Sequence, residues 1–446
     1  MESGLEQTID LQRIFEQIQG PDGLWRLFWL FFPFFILVDL PIAFIVTTGV
    51  FRWWTREHIL IPLKSLYRPR VSCIITCYSE GMAVHRTLRS LCEQTYKGEI
   101  ELIPVVDGAT ANPQTMQAVR EFHVDSSLYP NVRMRPIAKW KRGGRVSALN
   151  AGLSMCSGEI VMALDADTSF DNTMMSSIVR HFEDPNVPAV SGSLRVRNAW
   201  ASLTTAIQSI EYLLSIQTYK IGLSEWNLVN NISGAFGAFR RSTLQTIGGW
   251  DTGSAEDLDI TLRIKGYFGR QRRLRIPFEP RAIGHTDAPT TLQAFLKQRL
   301  RWDGDLLFLY ARKHRGSFSP GLTGWPNFLM ILFNGLFVQL VSPFIIVGYT
   351  IIGILILPWA TYIALSVLVY LLYLAVMILQ FLIALLLVSE RPGQDVRLLP
   401  LLPLFPLAMF VIRCWSAVAM LNEWFRRGHE ESSMAPWWVL QRSRRF

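Results

Sequence analysis

The longest apolar stretch of this chain covers residues 325–388 and contains no Asp, Glu, Lys or Arg. A helix rises about 1.5 Å per residue, so this stretch is long enough to cross the roughly 30 Å hydrocarbon core of a bilayer more than once. A second apolar run covers residues 25–51, where Arg26 and Asp39 are the only charged residues. With a mean hydropathy of +0.24 for the whole chain, these two runs predict an integral membrane protein.

The chain is basic, with a formal net charge of +9 and a pI of about 9.4. Such a balance is also found in nucleic-acid-binding proteins, but the sequence has no zinc-ligand spacing, aromatic RNA-binding motif or long basic arm. Nucleic acid is therefore not an expected partner, and Lys and Arg beside the apolar runs predict contact with anionic membrane lipids instead. Five basic residues follow the first run: Arg52, Arg56, Lys64, Arg68 and Arg70. By the positive-inside rule they place the next segment in the cytosol.

The apolar runs divide the chain into segments with different expected roles. Residues 1–24 are acidic and weakly amphipathic, which predicts an interfacial segment, and residues 25–51 are expected to form one transmembrane helix. Residues 290–324 are expected to form helices at the membrane interface, and residues 325–421 about three transmembrane helices, with four as the alternative. Residues 422–446 form a basic tail, whose charge favours the cytosol. One span before the central segment and three after it would place that tail outside.

Residues 70–289 alternate strand-like and helix-like patterns between these membrane segments. The expected strands are the largely apolar Val71–Cys77 and residues 102–106 and 160–164, together with residues 132–138. Helix-like spacing of apolar residues separates them, as in residues 84–91 and 146–155. Strands separated by helices predict βαβ units and a mostly parallel sheet.

Two acidic positions follow expected strands directly. Asp165 and Asp167 come after the apolar residues 160–164, and Asp107 comes after residues 102–106. Ligands of open α/β sheets bind beyond the carboxyl ends of the strands. Neighbouring carboxylates suit Mg²⁺ or Mn²⁺ bridging to phosphates, whereas a solvated acidic turn is the alternative. Since two strand ends in one sheet carry such residues, the pattern favours a ligand site.

Further polar residues of this segment occur in settings that suit ligand binding. Arg145 follows two glycines at the start of a helix, and a positive helix end with an Arg suits a diphosphate. Ser233 and Gly234 lie in a small-residue loop that lets a ligand approach the backbone closely. Glu256 and Asp257 open another expected helix. There they either complement the helix dipole or supply a general base for a sugar hydroxyl.

Gln298, Arg301 and Trp302 share one face of an expected helix, at spacings of three and four residues. A Trp ring stacks on sugars, Gln hydrogen-bonds hydroxyl groups and Arg binds phosphate through two donors. An amphipathic interfacial helix with a Trp anchor is the alternative, and both can hold at once.

In this order and spacing, with membrane segments on both sides, these motifs are similar to those of the processive family 2 glycosyltransferases, which include cellulose, chitin, hyaluronan and poly-N-acetylglucosamine synthases. The resemblance rests on the following residues: Asp107, Asp165-x-Asp167, Glu256-Asp257 and Gln298-x-x-Arg301-Trp302. It implies an α/β GT-A domain, Rossmann-like and cytosolic, inserted between α-helical transmembrane segments of a multi-pass protein of the cell membrane. It further implies an inverting enzyme that uses a UDP-sugar to elongate a β-linked polysaccharide and to translocate it, with accessory export subunits as a further class of partner.

For the donor site, the resemblance implies a nucleotide end and a metal end. Uracil would be contacted by Tyr78, Glu80 and Asp107. Asp165 would bind the ribose or diphosphate side, and Asp167, with Asp165, the Mg²⁺ or Mn²⁺. Arg145 matches a Lys position near the phosphates.

For the acceptor site, the resemblance implies a base, a binding helix and a loop. Asp257 would deprotonate the acceptor hydroxyl, with Glu256 beside it as a second catalytic carboxylate. The pyrophosphate and the terminal acceptor sugar would be positioned by Gln298, Arg301 and Trp302. Ser233 and Gly234 fall where the family keeps its acceptor-end loop. The family's acidic motif usually begins with Thr, and Ala255 stands there in this chain.

Two other functions fit parts of the sequence. One is a glycosyltransferase that adds a single sugar to a lipid acceptor, and the other is a transporter or scaffold with a catalytically inactive domain. The helix with Gln298, Arg301 and Trp302 favours the polysaccharide synthase over the first, because it suits an acceptor chain rather than a lipid phosphate. The intact set of carboxylates argues against the second.

Overall fold

The computed structural model describes residues 35–59, 65–251 and 254–427. The expected interfacial segment 1–24, the first part of the expected span 25–51 and nearly all of the basic tail lie outside these residues. The described part comprises one nine-stranded sheet covered by helices, preceded by one long apolar helix and followed by three more.

The strands confirm the predicted α/β fold with a mostly parallel sheet. Their bounds are β1 Val71–Cys77, β2 Ile100–Asp107, β3 Val132–Met134, β4 Ile137–Lys139, β5 Ile160–Asp165, β6 Ser169–Phe170, β7 Ala189–Val196, β8 Phe236–Arg240 and β9 Phe278–Thr286. The order across the sheet is β3-β2-β1-β5-β8-β7-β9-β6, with β4 also paired to β2. Strands β2, β1 and β5 are parallel and almost entirely buried, which explains their continuous apolar sequences. Strand β8 runs antiparallel to β5 and β7.

Strand register brings the two acidic strand ends to one edge of the sheet. Thr76 on β1 pairs with Asp165 on β5, and Cys77 pairs with Val106, the residue before Asp107. The single strand expected over residues 132–138 is wrong, because two short strands replace it. They are separated at Pro136, which has no N–H to continue the ladder.

Helices cover both faces of the sheet. The domain's helices are α2 Val84–Cys92, α3 Pro113–Glu121, α4 Gly144–Met155, α5 Met174–Val179, α6 over residues 203–225, α7 Arg241–Thr246, α8 Glu256–Lys265 and α9 Leu292–Leu307; a first helix, α1, precedes β1. Helices α2 and α3 bury apolar residues such as Leu88 with Cys73 and Ile75 of β1. Helices α4 and α8 pack on the opposite face, where Leu149 and Ile260 join Ile74. Successive β1 residues thus serve opposite faces.

Four helices of the described part are long and apolar enough to cross a membrane: α1 Phe35–His58, α10 Trp325–Ile356, α11 Trp359–Val388 and α12 Pro392–Arg426. Helix α1 crosses α6 where Gly49 meets Gly222, and a Cβ on Gly49 would lie 2.2 Å from the Gly222 carbonyl oxygen. At its domain end, Glu57 of α1 forms ion pairs with Arg281 at 2.8 Å and Arg180 at 3.5 Å. These contacts fix the domain to its preceding apolar helix.

Candidate active site

Three carboxylates share one electrostatic environment at the carboxyl end of β5. Burial raises the pKa of Asp167, and the negative charge of Asp165 raises it further. Burial likewise raises the pKa of Glu80 to about 7, with additional contributions from Asp167 and Asp165. Because these charges repel one another, a divalent cation would be attracted to this edge.

Oxygen donors of this kind fit Mg²⁺ or Mn²⁺. Within the described ranges, no group of three or more His, Cys, Asp or Glu side chains has the arrangement of a complete metal site. A cation bound by Asp165 and Asp167 would therefore take its remaining ligands from water and from phosphate oxygens, as Mg²⁺ commonly does.

Arg145 lies at the centre of the site. It is the second residue of α4, and its Nη1 donates to the Thr76 hydroxyl at 2.8 Å and forms an ion pair with Asp165. Its Nε donates to Glu256 Oε1 at 2.5 Å and its Nη2 to the Gly234 carbonyl at 2.6 Å. One guanidinium thus connects the ends of β1 and β5 with α8 and with the loop before β8.

Asp257 is held by three donors. Its Oδ2 accepts from the Asn231 side-chain amide and from the Gly234 N–H, both at 3.1 Å. Its Oδ1 accepts from the Leu258 N–H at 2.7 Å. A Cβ at position 234 would lie 3.3 Å from both Asp257 Oδ2 and Glu256 Oε1, so the loop approaches both acidic side chains as closely as a glycine allows.

Glu256 is buried, and burial raises its pKa while the Arg145 charge opposes that change. Ala255 precedes it in the left-handed region, with φ of 46°, a conformation that costs about 1–2 kcal/mol for a residue with a Cβ. Such backbone strain is frequently found at functional sites. The two acidic residues therefore differ: Glu256 faces Arg145 inside the protein, and Asp257 is half-buried at the loop.

Asp107 lies at the same edge but has protein partners. Its carboxylate accepts from Lys139 Nζ at 2.6 Å, from the Gly143 N–H at 2.9 Å and from the Gly144 N–H at 2.7 Å. These bonds fix the turn that leads into Arg145. The expected uracil contact stays a prediction.

Tyr78 and Glu80 form a polar corner beside Asp107. The Tyr78 N–H donates to Glu80 Oε2 at 2.5 Å, and the Arg142 guanidinium lies 4.2 Å from the centre of the Tyr78 ring. Tyr78 is 38% exposed. An exposed aromatic ring next to a carboxylate fits the stacking of a base, although the nucleotide contact itself is untested.

The helix with Gln298, Arg301 and Trp302 lies beside the acidic motif rather than within it. Helix α8 and the end of α9 share one apolar cluster, to which Leu258 contributes from α8 and Leu306 and Leu307 from α9. Across the ranges that the structure covers, no hydrogen bond or ion pair joins these three polar residues to Asp257 or Glu256.

The polar residues of α9 have other neighbours. The guanidinium of Arg299 lies 4.9 Å from the Trp302 ring centre and forms an ion pair with Glu211. Burial raises the pKa of Asp305 to about 7, while the Ser254 hydroxyl and the Arg301 charge oppose the change. The buried Gln298 side-chain oxygen has no hydrogen-bond partner among the described residues, so a bound molecule could supply one.

Sequence reasoning missed three residues that the fold brings to the site. Thr76 contacts Arg145, Asn231 contacts Asp257, and Lys220 donates to the Asn231 carbonyl at 2.8 Å. Asn231 belongs to the small-residue loop that the sequence analysis identified. Lys220 is the one lysine within residues 203–225, and a solitary lysine in a largely apolar helix is the signal that could have identified it.

Comparison with known proteins identifies the family. Residues 69–304 match the model of a family described as "Glycosyltransferase like family 2". The chain belongs to this family. The predicted enzyme class, a family 2 glycosyltransferase, is thereby confirmed.

Among its relatives are poly-β-1,6-N-acetyl-D-glucosamine synthases. That of Staphylococcus epidermidis is 30% identical over 282 residues, covering 62% of this chain and 64% of the relative. That of Staphylococcus aureus strain COL is 29% identical over 288 residues, with the same coverage. The chain thus matches 64% of the length of these relatives.

A similar solved structure is the mannosyltransferase PcManGT from Pyrobaculum calidifontis, in complex with GDP-Man and Mn²⁺. It is 21% identical, with a TM-score of 0.51, and covers 87% of this chain and 99% of that chain. This likeness concerns the fold, and it agrees with the expected GT-A domain accompanied by apolar helices.

Proposed function

We propose that this family 2 glycosyltransferase is a membrane-embedded polysaccharide synthase that transfers sugars from a UDP-linked donor to a growing β-linked chain. The observation that carries the proposal is the network around Arg145, which joins Asp165 at the strand end to Glu256 and to the loop that holds Asp257. The relatives named poly-β-1,6-N-acetyl-D-glucosamine synthases support a polysaccharide product and make UDP-N-acetylglucosamine the first donor to test.

The donor end of the site is the edge beyond β5. Asp165 and Asp167 would hold Mg²⁺ or Mn²⁺, and such a cation, when bound, neutralises diphosphate charge. The fit rests on the mutual repulsion of these carboxylates, which appears in the raised pKa of Asp167. Arg145 supplies a fixed positive charge at the same edge, and Tyr78 with Glu80 offers a surface for the base.

The acceptor end is organised around Asp257. Each carboxylate oxygen accepts two hydrogen bonds readily, and Oδ2 already has two donors, whereas Oδ1 has one. Oδ1 is therefore the atom with capacity for the proton of an acceptor hydroxyl.

The proposed transfer is a single displacement. As the proton passes to Asp257 Oδ1, the acceptor oxygen bonds to the anomeric carbon, and the bond from that carbon to the diphosphate breaks with its electron pair. UDP leaves on the side opposite the attack, so the configuration inverts from an α-linked donor to a β-linked product. Glu256 contributes by holding Arg145 in place.

Polar groups inside the apolar helices favour export of a polymer over transfer of one sugar to a lipid. The Tyr373 hydroxyl of α11 donates to Asp39 of α1 at 2.6 Å. Arg413 of α12 donates to the Val338 carbonyl of α10 at 3.2 Å. Polar residues within membrane segments mark substrate pathways, and a single transfer at the membrane surface needs no such pathway.

We further propose that α12 does not cross the bilayer completely. Near its start, Asp395 pairs with Arg195 of β7 at 3.0 Å. Near its end, Glu423 pairs at 3.4 Å with Arg312, next to Lys313, which itself pairs with the domain's Asp259.

Since both ends of α12 contact the catalytic side, the basic residues after it would lie there too, as the positive-inside rule favours. A reporter fused after residue 446 tests this topology. A cytosolic fluorescent protein should be active there and an exported phosphatase inactive, and the reverse pattern would contradict the proposal.

The activity is tested with membranes that contain the chain, incubated with one radiolabelled UDP-sugar at a time and with Mg²⁺ or Mn²⁺. Products are sized and then digested with linkage-specific hydrolases. A polymer sensitive to a β-specific hydrolase is expected from one donor and should disappear in chelator. Label found only in a lipid extract, as single sugars, would support the lipid-acceptor function instead.

A further inference from the structure

We propose that Lys220 is a positioning residue for sugar transfer, which acts on Asp257 through Asn231. This inference rests on the proposed function, in which Asp257 is the base. Lys220 contacts neither the donor edge nor the acidic motif directly, and the family 2 motifs of the sequence do not include it.

The contacts form a continuous chain from α6 to the acidic motif. Lys220 Nζ donates to the Asn231 carbonyl at 2.8 Å, and the Asn231 side-chain amide donates to Asp257 Oδ2 at 3.1 Å. The other side of the loop is fixed as well, because the Ile232 N–H donates to the Thr261 hydroxyl at 3.0 Å, which donates to the Asp257 carbonyl at 2.6 Å. The loop is thus held from α6 and from α8, with Asp257 between the two attachments.

Burying a lysine costs desolvation free energy that packing alone would not require. Lys220 is 8% exposed, and an apolar side chain of similar length would fill the volume without desolvating a charge. Burial lowers the pKa of Lys220 to about 8, and the Asp257 charge opposes that change, so the side chain is mostly an ammonium at neutral pH. Its charge therefore contributes something that packing does not require.

That contribution is the orientation of the Asp257 carboxylate. An ammonium bound to the Asn231 carbonyl fixes the backbone from which the Asn231 amide reaches Oδ2. With Oδ2 occupied, Oδ1 stays directed to the acceptor. A small displacement at a reacting group can reduce a rate about a hundredfold, so loss of the attachment should lower kcat without removing any donor contact.

Helix α6, which carries Lys220, is itself fixed by its packing on α1. Two residues after Lys220, Gly222 packs against α1, where an added Cβ would lie 2.5 Å from the Val46 carbonyl oxygen. Helix α6 cannot shift along α1 without a clash at this crossing. The loop is consequently tied, through one ammonium, to the apolar helix that precedes the domain.

The experiment measures kcat, the KM for the UDP-sugar, the Kd for UDP and the unfolding midpoint of the full chain. We expect Lys220→Met to lower kcat about tenfold to a hundredfold, with KM and Kd within about twofold of wild type, and Lys220→Arg to recover part of the loss. Lys265→Met is the matched control, because Lys265 is also a buried lysine, 1% exposed, on α8. It should leave kcat within about twofold.

An unchanged kcat in Lys220→Met, or an equal loss in the Lys265→Met control, would overturn the inference. If Lys220→Met does not fold, Asn231→Ala removes the second bond of the same network, from the Asn231 amide to Asp257 Oδ2. It should show the same loss confined to kcat, and an unchanged kcat there would overturn the inference equally. Asp257→Asn is assayed in parallel. Activity retained in that variant would refute the base itself, whereas activity lost in Asp257→Asn but kept in Lys220→Met refutes only the role of Lys220.

Discussion

Replacing Arg145 with Met should destabilise the chain in a pH-dependent manner. The side chain of Arg145 is 10% exposed and pairs with Glu256, whose side chain is 5% exposed, and with Asp165, at 32%. Removing one partner of a buried ion pair costs about 3–5 kcal/mol, because an uncompensated charge is left inside the protein. Most of this cost should come from Glu256, since water still reaches Asp165.

The direction of the pH effect follows from Glu256. Burial raises its pKa in the folded chain above the ordinary value of 4.5, and Arg145 limits that rise. A carboxylate with a raised folded pKa binds protons more tightly in the folded state, so stability falls as pH increases from the unfolded pKa to the folded one. Without Arg145 the folded pKa of Glu256 rises further, so this pH range extends to higher pH. The loss of stability in Arg145→Met should therefore be small near pH 5 and largest at about pH 8.

The assay is urea unfolding of the purified full chain in detergent, at both pH values, for Arg145→Met, Glu256→Gln and the double variant. Glu256→Gln removes the carboxylate charge that Arg145→Met leaves uncompensated, so the double variant should be more stable at pH 8 than Arg145→Met alone. The coupling free energy between the two positions should be about 1–3 kcal/mol. A deficit that is the same at both pH values, or a coupling near zero, would refute the assignment of Arg145 as the cation that compensates Glu256.

Three further predictions concern the site. Gly234→Ala places a methyl group against both acidic side chains, so transfer should fall about tenfold or more with little change in UDP affinity; equal loss of both would contradict a role confined to the acceptor side. Binding of Mn²⁺ near pH 7 should release protons, because a cation favours the ionised forms of Glu80 and Asp167, whose pKa values are raised in the free chain. Calorimetry in buffers of different ionisation enthalpy should detect this proton release. Binding heats that do not depend on the buffer would count against it. Trp302→Ala should shorten the polymer more than it slows donor hydrolysis, as measured by product sizing, and unchanged product length would argue against an acceptor role.

The sequence predicted best what depends on local pattern. Strand β1 matches its prediction of Val71–Cys77, because a strand buried on both faces is largely apolar rather than alternating. The apolar residues of α2 face the sheet, as their spacing indicated. The strand-end position of Asp165 also followed from pattern alone, since it required only that β5 be buried and parallel.

The second half of the sheet could not be read in the same way. Strand β7 contains Gly192 and β9 contains Pro280, residue types that are rare in strands. Pairing of β7 with both β8 and β9 compensates for this weak local preference. The antiparallel β8 is also short, and its sequence resembles the loop that precedes it.

The contacts that define the site depend on the tertiary fold. Arg145 and Glu256 are separated by 111 positions in the sequence, and no periodicity relates them. The same holds for Lys220, which reaches the Asn231 carbonyl only because α6 passes next to the loop before β8. Asp107 shows the opposite case, because its position was predicted but its partners in the turn before α4 were not. Those partners are backbone N–H groups, which nearly every residue type has, so the sequence does not indicate which of them bind a carboxylate.

The central claim is that Asp257 takes the proton of the acceptor while other residues hold the nucleotide. The most direct measurement compares wild type with Asp257→Asn for UDP binding by calorimetry and for sugar transfer with a radiolabelled donor. Asparagine keeps the shape and, with its oxygen in the place of Oδ2, can still accept from Asn231 and from the Gly234 N–H. Because it is a far weaker base, transfer should be lost while the Kd for UDP stays within about twofold. Transfer retained in Asp257→Asn, or UDP binding lost in proportion to transfer, would contradict the account.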